Sequence, residues 1–158
     1  GSGIPHFIEQ IKTGKPITVT DPDMTRFMMT LDHAVELVLY AYVNGKSGDI
    51  FVQKSPASTI GELANCLKSI YNSDVEIKNI GIRHAEKMHE TLLSKEEFLV
   101  AEDLGDYYRV KADNRDLNYN KYFEEGISKK INEEYNSFNT KRLSKKELTD
   151  LLASIGYK

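Results

Sequence analysis

The chain has 158 residues, 40% of them hydrophobic and 28% charged, which is enough for one domain-sized core. Its net charge of -3 offers no basic field for nucleic acid or an anionic membrane, and no apolar run approaches the roughly 20 residues of a bilayer span. The single cysteine, Cys66, excludes an internal disulfide framework and fits a reducing, cytoplasmic setting.

Pro5 suits the first turn of a helix whose buried side would carry Ile4, Phe7, Ile8 and Ile11, with Gly14 as its stop. Ile17 to Val19 reads as a short strand, Asp21-Pro22-Asp23 as a turn, and Arg26 to Met29 as a second strand. Thr30 is placed to cap the next helix. There Leu31, Ala34, Val35, Val38, Leu39 and Tyr42 recur at helical spacing and predict an amphipathic helix, closed at Gly45. Ile50 to Val52 is a continuous apolar run of the kind found in a parallel sheet.

Thr59 with Glu62, Ser94 with Glu97 and Ser144 with Glu147 each have capping-box spacing, and so predict three helix starts. The first opens a helix bearing Leu63, Ala64, Leu67, Ile70 and Tyr71 on one face. The last opens one bearing Leu148, Leu151, Leu152 and Ile155, with Leu143 as a staple. A strand is expected from Val75 to Ile82, and YYRVK at 107–111 also has strand character. Residues 113–139 are polar, tyrosine-rich and weakly periodic, and predict an irregular arm. Strands alternating with helices give an α/β class, but with too few strong strands for a complete doubly wound sheet. The expectation is a substrate-binding piece of a larger enzyme, divided into 1–112 and a C-terminal extension at 113–158.

Arg26 and Arg83 fall at or near strand ends, where open α/β sheets place ligands. Two guanidinium forks converging on a diphosphate would make charge-assisted bonds that lysine cannot copy. Glu86 is an acceptor of the type that holds paired ribose hydroxyls. Spacing alone also fits ordinary solvated ion pairs.

His84, Glu86 and His89 resemble a metal cluster on paper, but histidines five apart on a helix diverge, so no metal site is expected. Cys66, beside Leu67, reads as a buried inert thiol. A dehydrogenase-type Tyr-x-x-x-Lys pair needs helical spacing. Tyr42 and Lys46 are interrupted by Gly45, and Tyr107 and Lys111 lie in a strand pattern, so neither pair is expected to be catalytic. No glycine-rich dinucleotide fingerprint is present.

The segments GIPHFIEQIKTGKPITVTDPDMTRFMMTLDHAVELVLYAY, GDIFVQKSPASTI, IGIRHAEKMHETL and DNRDLNYNKYF with NTKRL resemble the C-terminal part of UDP-N-acetylglucosamine 4,6-dehydratases. These are extended short-chain dehydrogenases/reductases of polysaccharide biosynthesis. MTRFMMTLD and GDIFVQKSP are similar to the dehydratase group, and the last two segments to its inverting, 5-epimerising subgroup. The resemblance spans essentially the whole chain but about half of the family's usual length.

It implies that Arg26 and Arg83 hold the diphosphate of a UDP-sugar, that Glu86 binds the uridine ribose, and that Thr18 and Val19 lie near the uracil. Ala85 stands where the family usually has glycine. The implied activity is oxidation at carbon 4, loss of water across carbons 5 and 6, and reduction at carbon 6, with carbon 5 reprotonated on the opposite face. The product would serve capsule or O-antigen sugars. NADP or NAD would be bound outside this chain, which alone is expected to be inactive. A homo-oligomeric parent is expected, with the 117–138 region as a candidate interface. The alternatives are a UDP-hexose 4-epimerase, which shares the uridine-binding architecture, and a non-catalytic binding module.

Overall fold

A computed structural model describes residues 3–112 and 133–157, so most of the expected arm and of the candidate interface at 117–138 lies outside the described residues. In chain order the elements are α1 (Gly3–Lys12), β1 (Ile17–Val19), β2 (Thr25–Phe27), α2 (Leu31–Asn44), β3 (Ile50–Gln53), β4 (Ala57–Thr59) and α3 (Ile60–Ile70). There follow β5 (Ile77–Asn79), β6 (Thr91–Leu93), α4 (Lys95–Val100), β7 (Glu102–Asp103), β8 (Tyr107–Val110), β9 (Tyr135–Asn136) and α5 (Lys145–Ser154). They group into two compact units that interleave along the chain. Unit 1 is drawn from Gly1–Met28, Ser55–Glu90 and Ser137–Lys158, and unit 2 from Met29–Lys54 and Thr91–Asn136.

Unit 1 follows the sequence patterns closely. The apolar face of α1 buries Phe7, Ile8 and Ile11, and α3 buries Leu63, Ala64, Cys66 and Leu67. These side chains meet Ile17 and Val19 of β1 and Leu148 and Leu152 of α5 in one core. Burying each large aliphatic side chain contributes about 1.5–3 kcal/mol against the entropy of ordering it. Strand β1 pairs parallel with β5, Ile17 opposite Ile77, and β2 pairs antiparallel with β4, Arg26 opposite Ser58. The capping boxes at Thr59/Glu62 and Ser144/Glu147 both form, each satisfying two otherwise orphaned backbone groups.

Unit 2 departs from expectation in one strand. Strand β3 was expected to be the last parallel strand; instead it pairs antiparallel with β8, Ile50 opposite Val110, and β8 in turn pairs antiparallel with β7. A short apolar run reports that a strand will be covered, and it carries no information about the direction of its neighbour. The stripe of α2 forms a helix capped by Thr30, whose hydroxyl accepts the His33 N–H at 3.2 Å. None of its residues is buried, however, with Leu31 79%, Val38 66% and Tyr42 87% exposed. The stripe is helical, as its spacing predicts, and it lies open because periodicity defines a face and not what covers it.

Beside the β3–β8–β7 sheet, unit 2 is held by aromatic contacts. Tyr40 stacks on Tyr107 with centroids 4.1 Å apart and meets the edge of Phe51, while Phe98, Tyr108 and Tyr135 form a second cluster. Gly45 ends α2 with φ at -84°, so it is not there for a left-handed turn. A Cβ there would lie 2.5 Å from the Ala41 carbonyl oxygen, which makes close approach the reason for glycine.

Candidate functional site

The sequence carries its candidate residues on three segments that unit 1 folds together. After β1, the Asp21 carboxylate accepts the Asp23 N–H at 2.8 Å, and this turn delivers Met24 and Arg26 into β2. After β5, Asn79 accepts the Gly81 N–H at 2.9 Å and turns the chain towards Arg83 and Glu86. Between these loops and α1 lies a hollow of about 640 Å³. Thr18, Val19, Arg26, Arg83 and Glu86 all line it, together with Gly3, His6 and Phe7 of α1, and with Glu90.

The two guanidinium groups are held differently. Arg26 is half-buried and already engaged: Nη1 donates to the Thr25 carbonyl at 2.7 Å and to the Met88 carbonyl at 3.4 Å, and Nε lies 3.5 Å from Glu90 Oε1. Arg83 is exposed, in a turn closed by the Glu86 N–H donating to the Arg83 carbonyl. The Glu86 carboxylate in return accepts the Arg83 N–H at 3.1 Å. One cation is therefore pre-set and the other adjustable. With Glu86 and Glu90 on the same wall, the lining alternates in sign and matches a ligand that offers both an anion and hydroxyl donors.

Ala85 sits within the Arg83–Glu86 turn at φ +71°, in the left-handed region that glycine occupies without strain. A residue with a Cβ pays about 1–2 kcal/mol there. Thr18 and Val19 line the hollow with several of their polar groups held by neighbours. Gln10 accepts the Thr18 N–H at 3.1 Å and donates to its hydroxyl at 2.8 Å, and the Val19 carbonyl accepts the Ile80 N–H at 2.8 Å.

Sequence reasoning missed His6, Gln10 and Glu90. A signal existed for two of them, since Gly3, His6, Phe7 and Gln10 follow helical spacing on one face of α1. For Glu90 there was none, because its place depends on a loop that returns from β5 to β2.

Among the described residues, the remaining chemistry-bearing side chains do not assemble a redox or metal centre. Tyr107 lies in β8 against Tyr40, and its phenol is pushed above its ordinary value, chiefly by desolvation and then by Glu36 and Asp106. A tyrosine base would need the opposite shift. Gly45 and Gly48 join a helix to a strand, the reverse of the strand–turn–helix order that cradles a dinucleotide. Among the described residues, no group of three or more His, Cys, Asp or Glu side chains is disposed to hold a metal ion. No helix of the described residues is long and apolar enough to cross a membrane.

Comparison with known proteins matches residues 1–112 to the family described as polysaccharide biosynthesis protein, and residues 113–157 to the polysaccharide biosynthesis protein C-terminal family. Proteins named UDP-glucose 4-epimerase from Rickettsia rickettsii (strain Sheila Smith) and Rickettsia canadensis (strain McKiel) are 57% and 55% identical over 158 residues. Each alignment covers 99% of this chain and 46% of the relative, so the chain spans about half the length of the curated relatives it matches. The X-ray structure of Pen from Bacillus thuringiensis superposes with a TM-score of 0.78 at 32% identity, over 98% of this chain and 45% of that one. The mixed α/β architecture, with short strands in small sheets, is that of the C-terminal portion of an extended short-chain dehydrogenase/reductase. The chain belongs to the polysaccharide biosynthesis protein family.

Proposed function

We propose that the chain forms the UDP-sugar-binding portion of an NAD(P)-dependent enzyme that modifies a nucleotide sugar for polysaccharide biosynthesis. One observation carries this reading. Arg26, Arg83 and Glu86, together with Thr18 and Val19, come from separate segments and line a single hollow large enough for a nucleotide. Arg26 and Arg83 would take the diphosphate, Glu86 and Glu90 the hydroxyls, and the β1 wall the base. The nicotinamide cofactor would supply the redox step from outside this chain, since the glycine turn and the tyrosines described above do not fit it. What this chain contributes is positioning, by holding one end of the sugar nucleotide so that its hexose is presented to the rest of the site.

Within that class, 4-epimerisation of a UDP-hexose is the reading favoured by the names of the relatives. The MTRFMMTLD and GDIFVQKSP segments, with RDLNYNKYF and NTKRL, favour 4,6-dehydration with inversion at carbon 5 as the second reading. Mass spectrometry of the product made by a full-length enzyme carrying this sequence separates them. An epimerised sugar keeps the substrate's mass, whereas a 4-keto-6-deoxy product is lighter by one water.

The binding claim is tested by calorimetry of the chain with UDP. Arg26→Ala and Arg83→Ala should each weaken binding by about 1.5–3 kcal/mol, the size of a charge-assisted contact. Unchanged affinity in both variants would reduce them to ordinary surface charges and leave a non-catalytic module as the better account.

A further inference from the structure

Behind Arg26 and Glu90, within unit 1, lies a knot of two buried hydroxyls and the half-buried His89 imidazole. Thr25 is 1% exposed and Ser137 0%, and their hydroxyl oxygens are 2.6 Å apart although 112 positions separate them in the chain. The Thr25 hydroxyl also lies 2.8 Å from His89 Nδ1. Ser137 Oγ accepts the Glu90 N–H at 2.9 Å and reaches the Thr25 carbonyl at 3.0 Å. That same carbonyl accepts Arg26 Nη1, and the Thr25 N–H donates to the Met88 carbonyl, the second anchor of Arg26. Every backbone group that fixes the Arg26 guanidinium, and the backbone of its ion-pair partner Glu90, is thus tied into this knot.

The proton count couples the members. Ser137 has one hydroxyl proton. When it goes to the Thr25 carbonyl, Thr25 donates to Ser137 and His89 must present an Nδ1 proton. When Nδ1 is bare, Thr25 donates to His89, Ser137 donates to Thr25, and the carbonyl keeps Arg26 as its side-chain partner. The imidazole state therefore selects how the Arg26 anchor is shared.

We infer that Ser137, Thr25 and His89 are positioning residues that set the orientation of Arg26 and Glu90, so that a residue from the region matched by the C-terminal family governs nucleotide affinity. None of the three lines the hollow. The inference rests on the reading of that hollow as a UDP site, and its logic is preorganisation. A guanidinium already aimed loses less freedom on binding than one that must be ordered by the ligand.

The test compares UDP affinity and thermal midpoint in Thr25→Val, Thr25→Ser, Ser137→Ala and Arg26→Ala, and the Arg26 Nε–H NMR signal in the three variants that keep Arg26. Thr25→Val preserves shape and removes the hydroxyl; Thr25→Ser preserves the hydroxyl and removes a methyl group. Thr25→Val and Ser137→Ala should weaken UDP about two- to ten-fold, the size of one or two hydrogen bonds, and leave Arg26 Nε–H exchanging faster. Thr25→Ser should bind as the parent does even if its thermal midpoint falls, because affinity follows the hydroxyl and stability follows packing. If Arg26→Ala weakens UDP while Thr25→Val and Ser137→Ala bind normally, the positioning role is overturned and the UDP reading stands. If Arg26→Ala and Arg83→Ala both bind as the parent does, the UDP reading fails. The Nε–H exchange then decides the knot by itself: rates unchanged in Thr25→Val and Ser137→Ala would overturn it.

Discussion

Helix α3 hides Leu63, Ala64, Cys66 and Leu67 in the core of unit 1, whereas α2 in unit 2 leaves Leu31, Val35, Val38, Leu39, Tyr42 and Val43 exposed. Both have apolar residues at helical spacing and both are capped by threonine. What differs is the company each helix keeps. α3 packs on α1 and α5, two helices whose own stripes complete a closed core. The lesson is that an amphipathic pattern specifies a demand for cover and leaves open which surface meets it.

The contrast is sharpest in a large-to-small exchange. Leu67→Ala or Leu148→Ala, each at a fully buried position, should cost about 2–5 kcal/mol in chemical denaturation. Val38→Ala and Leu39→Ala on α2 should stay within about 0.5 kcal/mol. Equal losses on the two helices would break the comparison.

A smaller effect is expected at the site. Ala85→Gly removes about 1–2 kcal/mol of left-handed strain and adds about 0.5–1 kcal/mol of backbone entropy cost, so the variant should be between unchanged and about 1.5 kcal/mol more stable. A loss of stability on that exchange would mean that the Arg83–Glu86 turn is not strained.

The smallest effect is electrostatic. Glu147 is lowered from 4.5 to about 2, first by its bond to Lys141 and then by the Ser144 N–H and hydroxyl. Because its folded value is depressed, its contribution is complete above about pH 4.5 and is lost as pH falls towards 2. Acid titration of Glu147→Gln should therefore lose part of the slope in that window and match the parent's slope at neutral pH. An identical acid limb in the two proteins would show that the cap does not feel this charge.

Local structure was well written in the sequence. The three capping boxes, the Thr30 cap and the Asp21–Asp23 turn all depend on residues within four positions of each other, and all form. Arg26, Arg83 and Glu86 could be singled out from the sequence and do line one hollow, but their spacing did not separate them from solvated ion pairs and gave no sign of Glu90. The site's supporting contacts were not legible. The approach of Ser137 to Thr25, the return of Glu90 to Arg26 and the antiparallel partner of β3 depend on chain closure over tens of residues, where no local spacing survives to be read.

One pair of backbone bonds has a practical corollary. The Met28 N–H donates to the Pro56 carbonyl and the Ser137 N–H to the Glu90 carbonyl, each at 2.8 Å. Both excursions into unit 2 thus leave and rejoin unit 1 at a pinched doorway, as an insertion does. Splicing Met28 to Ser55 and Glu90 to Ser137 with short turns would yield a shortened unit 1 that keeps every residue of the hollow and of the Thr25–Ser137–His89 knot and discards the bare helix α2.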